Sequence, residues 1–121
     1  MNSNHPHIDL DHGVKVIGDM NNAKKVLTLF IEKLPTYESD IIKFRKSENW
    51  EQLKETMHSL KGATCYSSTP ALHHCFSELN SLLSNIIIEK PSDSDILSID
   101  HLLDAAYLNI AGTITAFNRL Q

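Results

Sequence analysis

The sequence predicts an all-α fold, an up-down four-helix bundle with a short extra helix at the N-terminus. Apolar residues recur three and four positions apart in four long stretches, which is the period of an amphipathic helix. No segment alternates apolar and polar residues over the length of a strand. With only 4 Gly, 4 Pro and 7% aromatic residues among 121, a turn-rich β fold is disfavoured.

The beginning of the chain predicts a polar segment followed by a short helix. This length suits one domain, so we expect a single domain over 1–121, with residues 1–7 disordered. A short segment that ends at Gly18 is then predicted to form a helix or turn that covers one end of the domain. Its apolar residues are Ile8, Leu10, Val14 and Ile17.

The second helix is predicted to be long and to pass through a proline. A proline inside a helix costs roughly 3 kcal/mol and usually kinks or breaks it. The apolar positions Ile31, Leu34 and Ile41 nevertheless stay in phase across Pro35. We therefore predict one long helix with a kink rather than two helices.

The third helix is predicted to begin at Asn49, a good N-cap residue, with Gln52 completing a capping-box pattern. At about 100° per residue, its apolar stripe falls within a wedge of about 80°; the stripe is Trp50, Leu53, Met57, Leu60 and Thr64. His58 lies about 120° from the centre of that wedge and Gly62 about 160°. The projection places His58 on the solvent side.

Two further helices complete the bundle. Thr69-Pro70 predicts a helix start, with an N-cap hydroxyl and proline at the first position; its core stripe is Leu72, Phe76, Leu79, Leu83 and Ile86. Residues 89–93, with Pro91, form a linker, and residues 92–95 can cap the last helix. The predicted buried face of that helix is Ile96, Leu103, Ala106, Ile110, Phe117 and Leu120.

Composition narrows the function classes. A formal net charge of −4 without a block of basic residues gives no support to nucleic-acid binding. Apolar runs such as Ile86 to Ile88 are far too short to cross a membrane. The two cysteines, Cys65 and Cys75, form no CxxC pair. Together with a polar first ten residues, these features predict a cytoplasmic domain with free thiols.

The stretch from Thr56 to Ala63 carries the chemistry. A surface histidine on a helix is usually only a solvated residue, but His58 has informative neighbours. Lys61, one turn on, could contact a phosphoryl oxygen on the imidazole as a point charge. Gly62 costs about 1 kcal/mol relative to alanine inside a helix, and it strips the surface beside His58 so that a partner could approach closely.

The run His58-Ser59-Leu60-Lys61-Gly62-Ala63 resembles the H-x-L-K-G-[AS] signature of histidine-containing phosphotransfer (HPt) domains. The likeness extends to Leu34-Pro35, to Asn49-Trp50 and to the stretch from Cys65 through Pro70, as in the C-terminal domains of BarA-type hybrid sensor kinases. About three quarters of the chain is covered.

The resemblance implies that His58 accepts a phosphoryl group from a receiver-domain aspartate and passes it to another receiver. Lys61 would steady the group and Gly62 would open access. The chain would need no cofactor, because the receiver supplies Mg²⁺, and it would be a monomeric phosphocarrier rather than a kinase, either free or part of a hybrid kinase. Two positions depart from the common pattern, since Cys65 and Ser68 replace residues that are commonly glycine.

The surface around His58 is the expected receiver contact. Candidates on the same helix are Glu51, Lys54, Glu55 and Cys65, and weaker ones on the next helix are Ala71, His73, His74 and Asn80. Relatives often carry Gln or Glu at the position of Asn80, with the side chain near the histidine. Receivers usually dock with an apolar patch, so small side chains near His58 are expected to matter more than charge.

Three other functions compete with phosphotransfer. A metal-binding bundle is disfavoured because His73 and His74 point about 100° apart. A Cys-His hydrolase is disfavoured because Cys65 and His58 lie about 10 Å apart along the helix axis. A non-catalytic helical adaptor remains the serious alternative, although it gives no reason for Lys61 and Gly62 beside an exposed histidine.

Overall fold

The computed structural model describes residues 5–121, and within them every regular element is a helix. The elements are α1 (Leu10–Ile17), α2 (Met20–Lys46), α3 (Trp50–Thr64), α4 (Pro70–Asn85) and α5 (Asp93–Arg119). None of these helices is long and apolar enough to cross a membrane. The predicted all-α class is confirmed.

Four of the helices close into a ring. Helix α2 packs on α3, α3 on α4, α4 on α5, and α5 returns to α2, while α1 packs on α2. Short connections join consecutive helices, which makes them antiparallel neighbours. The predicted up-down four-helix bundle with a short N-terminal helix is therefore confirmed. The largest interface lies between α3 and α4.

Helix α2 runs unbroken through Pro35, which faces solvent. The apolar positions on both sides of the proline, Ile31, Leu34 and Ile41, are buried. Their packing outweighs the loss of one backbone hydrogen bond at the proline, which is why the predicted single helix forms.

Helix α5 buries most of its predicted face. Leu103, Ala106 and Ile110 are fully buried, while Ile96 and Phe117 are half-buried. Leu120 was wrongly assigned to the core and is 56% exposed. Leu120 is the C-cap residue that follows the last helical residue, Arg119, so no further turn of α5 covers it.

Only some of the helix caps predicted from the sequence form. Asn49 Oδ1 accepts a hydrogen bond from the Gln52 backbone N–H at 3.2 Å, as predicted. The reciprocal half of that box is wrong, since Gln52 Nε2 donates to Glu55 Oε2 at 3.2 Å and the Asn49 N–H donates to Phe44 O at 2.9 Å. At α5 a complete capping box forms between Ser92 and Asp95.

Helix α4 begins at Pro70 as predicted, but the Thr69 hydroxyl does not cap it. Thr69 Oγ1 lies 2.6 Å from Ser67 Oγ instead, within hydrogen-bond distance. The Ala71 N–H at the helix start donates to Pro6 O at 3.1 Å. The N-terminal segment therefore supplies an acceptor that the local sequence was expected to provide.

The N-terminal segment before α1 packs against the bundle. The Asp9 N–H donates to Ser68 O at 2.8 Å. The His7 ring packs over α5, where a Cβ placed on Gly112 would lie 2.5 Å from His7 Nε2. These contacts place residues 6–9 against the bundle, whereas residues 1–4 of the segment expected to be disordered lie outside the described part of the chain.

Helix α1 is seated by a close fit between Gly13 and Ser68. A Cβ placed on Gly13 would overlap Ser68 Oγ. Ser68 has φ +63°, in the left-handed region that favours glycine. Its Oγ is buried and has no hydrogen-bond partner among residues 5–121. A glycine at this position would adopt this backbone conformation without the strain that serine carries.

The α2–α5 contact is reinforced by Arg45. Its Nε lies 3.1 Å from Asp100 Oδ1, and its Nη1 lies 3.0 Å from Asp104 Oδ1. The guanidinium carbon lies 5.7 Å from the centre of the Tyr107 ring. Because this Arg is held by two carboxylates and an aromatic ring, it fixes α2 against α5 at the point where the ring of helices closes.

Candidate functional site

His58 lies in the middle of α3, with its side chain exposed to solvent. The opposite side of the helix is buried through Trp50, Leu53, Met57 and Leu60. Neither ring nitrogen of His58 has a hydrogen-bond partner among residues 5–121. The predicted orientation is confirmed, and the imidazole has a free nitrogen lone pair available for chemistry.

A shallow groove, here called the His58 groove, opens beside the imidazole between α3 and α4. Apart from His58 its lining is polar: Glu51, Lys54, Glu55, Ser59, Asn80 and Ser84. The structure thus brings together four of the predicted contact residues, Glu51, Lys54, Glu55 and Asn80. The lining is polar because these positions lie outside the core stripes of both helices.

Lys61 is half-buried one turn beyond His58. Its backbone carbonyl accepts hydrogen bonds from Thr64 Oγ1 at 3.2 Å and from Cys65 Sγ at 3.4 Å. Its ammonium group forms no ion pair within residues 5–121. The positive charge therefore stays available for an anion at the imidazole.

Gly62 has no structural reason to be glycine inside this chain. It lies within α3 with helical geometry, and a Cβ placed on it would meet nothing within 4 Å. Glycine in a helix interior costs about 1 kcal/mol relative to alanine. Since the bundle gains nothing in return, the open surface at Gly62 points to something that approaches from outside.

Cys65 caps the end of α3 and is exposed, but it does not line the His58 groove. Its Sγ donates to the Lys61 carbonyl, which turns the thiol back along the helix. The other cysteine, Cys75, is half-buried in α4. Burial, with a smaller contribution from the Glu78 charge, raises the pKa of the Cys75 thiol to about 11.

The two thiols are expected to differ strongly in reactivity. At pH 8 a water-soluble disulfide reagent should label Cys65 quickly and Cys75 slowly, because thiolate is the reacting form and burial disfavours it at Cys75. A thiol pKa raised by folding also means that stability is retained below pH ~9 and lost as pH rises toward 11. Stopped-flow labelling of Cys65→Ser and Cys75→Ser would assign the two phases, and a fast Cys75 phase would contradict this assignment.

The weaker candidates for receiver contact on α4 lie in different environments. Asn80 is half-buried and lines the His58 groove, whereas Ala71 is buried and was wrongly placed on the contact surface. Ala71 packs inward because α4 begins beneath the N-terminal segment. His73 Nδ1 lies 2.9 Å from Thr64 Oγ1, and His74 Nε2 lies 3.2 Å from Glu78 Oε1. Both histidines are therefore engaged in contacts away from the groove.

Sequence reasoning missed Ser59 and Ser84 in the groove and the Thr64–His73 contact between α3 and α4. Ser84 lies four residues beyond Asn80, so projecting α4 from Asn80 would have found it. The Thr64–His73 contact had no such signal, because Thr64 reads as part of the apolar stripe. Its hydroxyl also lies 2.7 Å from the Leu60 carbonyl, to which it donates.

One Glu-x-x-His pair occurs in the chain, Glu55 with His58, and this spacing is used in diiron bundles. In such sites the two side chains face the bundle interior. Here both are exposed on the outer side of α3. Across residues 5–121 no group of three His, Cys, Asp or Glu side chains is arranged to hold a metal ion.

Comparison with known proteins gives one match. The family model described as "Hpt domain" matches residues 25–110, more than two thirds of the chain. The matched region runs from the second turn of α2 into α5 and contains His58, Lys61 and Gly62. No match was found among curated proteins or among solved structures.

Proposed function

The chain belongs to the Hpt family, whose domains carry phosphoryl groups in phosphorelays, and from this we propose that His58 is its phospho-acceptor. The observation that carries this proposal is the exposure of His58 in mid-helix with both ring nitrogens free. The groove beside it leaves room for the acidic pocket of a receiver, and Gly62 leaves the adjoining surface open.

The proposed step is an in-line displacement at phosphorus. The Nε2 lone pair of neutral His58 attacks the aspartyl phosphate of a receiver, so that an N–P bond forms and the P–O bond to the aspartate breaks. The aspartate leaves as a carboxylate. The phosphorylated ring first carries a positive charge with the hydrogen still on Nδ1, and it becomes neutral when that proton is lost to water. Lys61 contributes a positive charge to the transferring group. In the reverse displacement, the aspartate of a second receiver attacks the phosphorus and leaves His58 unphosphorylated.

Several finer points belong to the same proposal. The partners are receiver domains, which also supply Mg²⁺, and the chain itself acts as a monomeric carrier without kinase activity. A cytoplasmic location fits these partners. The likeness of the His58 stretch to domains of hybrid kinases supports a place within a relay, between the receiver of such a kinase and a separate response regulator.

The test is transfer from a phosphorylated receiver domain. The chain should acquire a phosphoryl group that is labile in acid and stable in alkali, as expected for a phosphoramidate bond, whereas an acyl phosphate is labile in both. A non-catalytic adaptor would bind receivers without acquiring it. Failure to acquire the group from any of a panel of receivers would refute the proposal.

Gly62→Ala is expected to change the stability of the fold and the access of a receiver to His58 in opposite directions. The alanine is expected to stabilise the fold by about 0.5–1 kcal/mol, because it meets nothing in the bundle and improves helix propensity. It should also slow phosphoryl uptake from a receiver, since a methyl group then stands where the partner approaches. Urea unfolding and transfer rates would be measured on the same samples. Unchanged transfer in the more stable variant would show that Gly62 is not needed for access.

A further inference from the structure

The charged residues of α3 are sorted by sign around His58. At about 100° per residue, Lys54 and Lys61 project about 40° and 60° to one side of the imidazole. Glu51 and Glu55 project about 20° and 60° to the other side. His58 therefore stands on the boundary between a strip of two cations and a strip of two anions.

Lys54 is the cation of this strip that lies within the His58 groove. Its side chain is half-buried, and its methylene stem can lie along the surface of the bundle while the ammonium remains in water. Glu51 and Glu55 are both near in sequence, yet Lys54 forms an ion pair with neither. Glu55 Oε2 accepts from Gln52 Nε2 at 3.2 Å instead. The Lys54 charge is thus uncommitted within the described chain.

We propose that Lys54 is a second cation for the phosphoryl group on His58, acting from the opposite side of the imidazole along the helix axis from Lys61. The inference rests on the proposed function of His58. Lys54 lies about 6 Å before His58 along the axis and Lys61 about 4.5 Å after it. A lysine ammonium on its flexible stem can reach across one helical turn toward a phosphoryl oxygen.

The acidic strip completes this arrangement. A phosphoryl group near neutral pH carries close to two negative charges, which Glu51 and Glu55 repel. The group is therefore turned toward the lysines, and the acidic strip stays open to basic side chains of a partner. Because all four side chains are at least partly solvated, salt should weaken the preference.

The test measures the phosphoryl group without any receiver. The chain is phosphorylated with phosphoramidate, and the pH titration of the histidine phosphoryl group is followed by ³¹P NMR at low salt. Lys54→Gln is expected to raise the apparent pKa of that group by about 0.2–0.7 pH units, the range that one partly exposed charge supplies. Glu51→Gln should lower it, which a merely structural role of either residue would not predict.

Lys15→Gln is the matched control, because Lys15 is exposed on α1, which packs on α2 rather than on α3. Thermal unfolding of each variant checks that the fold is intact. A titration of Lys54→Gln identical to that of Lys15→Gln would overturn the inference while leaving His58 as acceptor. If the ³¹P spectrum shows no phosphohistidine signal that disappears in His58→Gln, the proposed function itself is wrong.

Discussion

Replacing His58 with glutamine is expected to abolish phosphoryl uptake from a receiver, with no residual rate above the background hydrolysis of the receiver. The amide has no nucleophilic nitrogen lone pair, and no other described side chain stands in the groove with one. The fold should remain intact, since His58 is exposed, makes no hydrogen bond within residues 5–121 and occupies a position where glutamine is a good helix former.

The measurement is transfer from a ³²P-labelled receiver, resolved by gel and quantified over time. His12→Gln and His101→Gln are matched controls, because both side chains are exposed on other helices. Both controls should accept the phosphoryl group at the wild-type rate. Uptake that persists in His58→Gln, or that is lost equally in His101→Gln, would place the acceptor elsewhere.

Gly13→Ala is expected to destabilise the fold by about 1–3 kcal/mol, the usual effect of forcing a methyl group into a filled site. The added Cβ would overlap Ser68 Oγ and approach Ser68 Cβ to 3.2 Å. Ser68 is buried and cannot move outward without displacing the Asp9 N–H, which donates to its carbonyl. Urea unfolding followed by circular dichroism measures the change.

Ser68→Gly should have the opposite sign and reverse the effect of the first substitution. Glycine relieves the strain of a serine in the left-handed conformation, which costs about 1–2 kcal/mol. It also removes a buried hydroxyl that has no hydrogen-bond partner within residues 5–121. These gains are partly offset because glycine loses more backbone entropy than serine on folding. We expect a net gain of about 1–2 kcal/mol. In the Ser68→Gly background, Gly13→Ala should become neutral or stabilising, because its remaining neighbour, Ala23 Cβ, lies at an ordinary 3.5 Å.

The double-mutant cycle is the decisive readout for this pair. Substitutions of two residues that compete for one space are not additive, and we expect a coupling energy of about 1–3 kcal/mol. Additive effects would show that Gly13 and Ser68 do not compete for the same volume. Transfer to His58 should be unaffected in all three variants, since neither position lines its groove.

The core of the bundle and the orientation of His58 could be predicted because both depend on the helical period alone. The stripe from Trp50 to Thr64 is buried as projected, and His58 faces away from it. Leu120 shows where such reasoning fails, because the helix ends at Arg119 and the residue that follows is exposed although it fits the apolar spacing.

The sequence did not predict features that arise from contacts between distant segments. Ser68 takes a left-handed conformation, and Gly13, 55 positions earlier, leaves the space for its hydroxyl. Pro6 supplies the acceptor at the start of α4 that Thr69 was expected to provide. Neither pairing leaves a local pattern, because each residue looks ordinary among its own neighbours.

The position of His58 in mid-helix has a thermodynamic consequence. The backbone N–H groups of an α-helix interior are already used, so α3 presents no free amides to a phosphoryl group, unlike the N-terminus of a helix. The lysines near His58 are at least partly solvated, and each such contact contributes about 1 kcal/mol or less. The phosphoimidazole would therefore keep a high group-transfer potential. On the proposed function, such a bundle would release a phosphoryl group from His58 more readily than a tight anion site would.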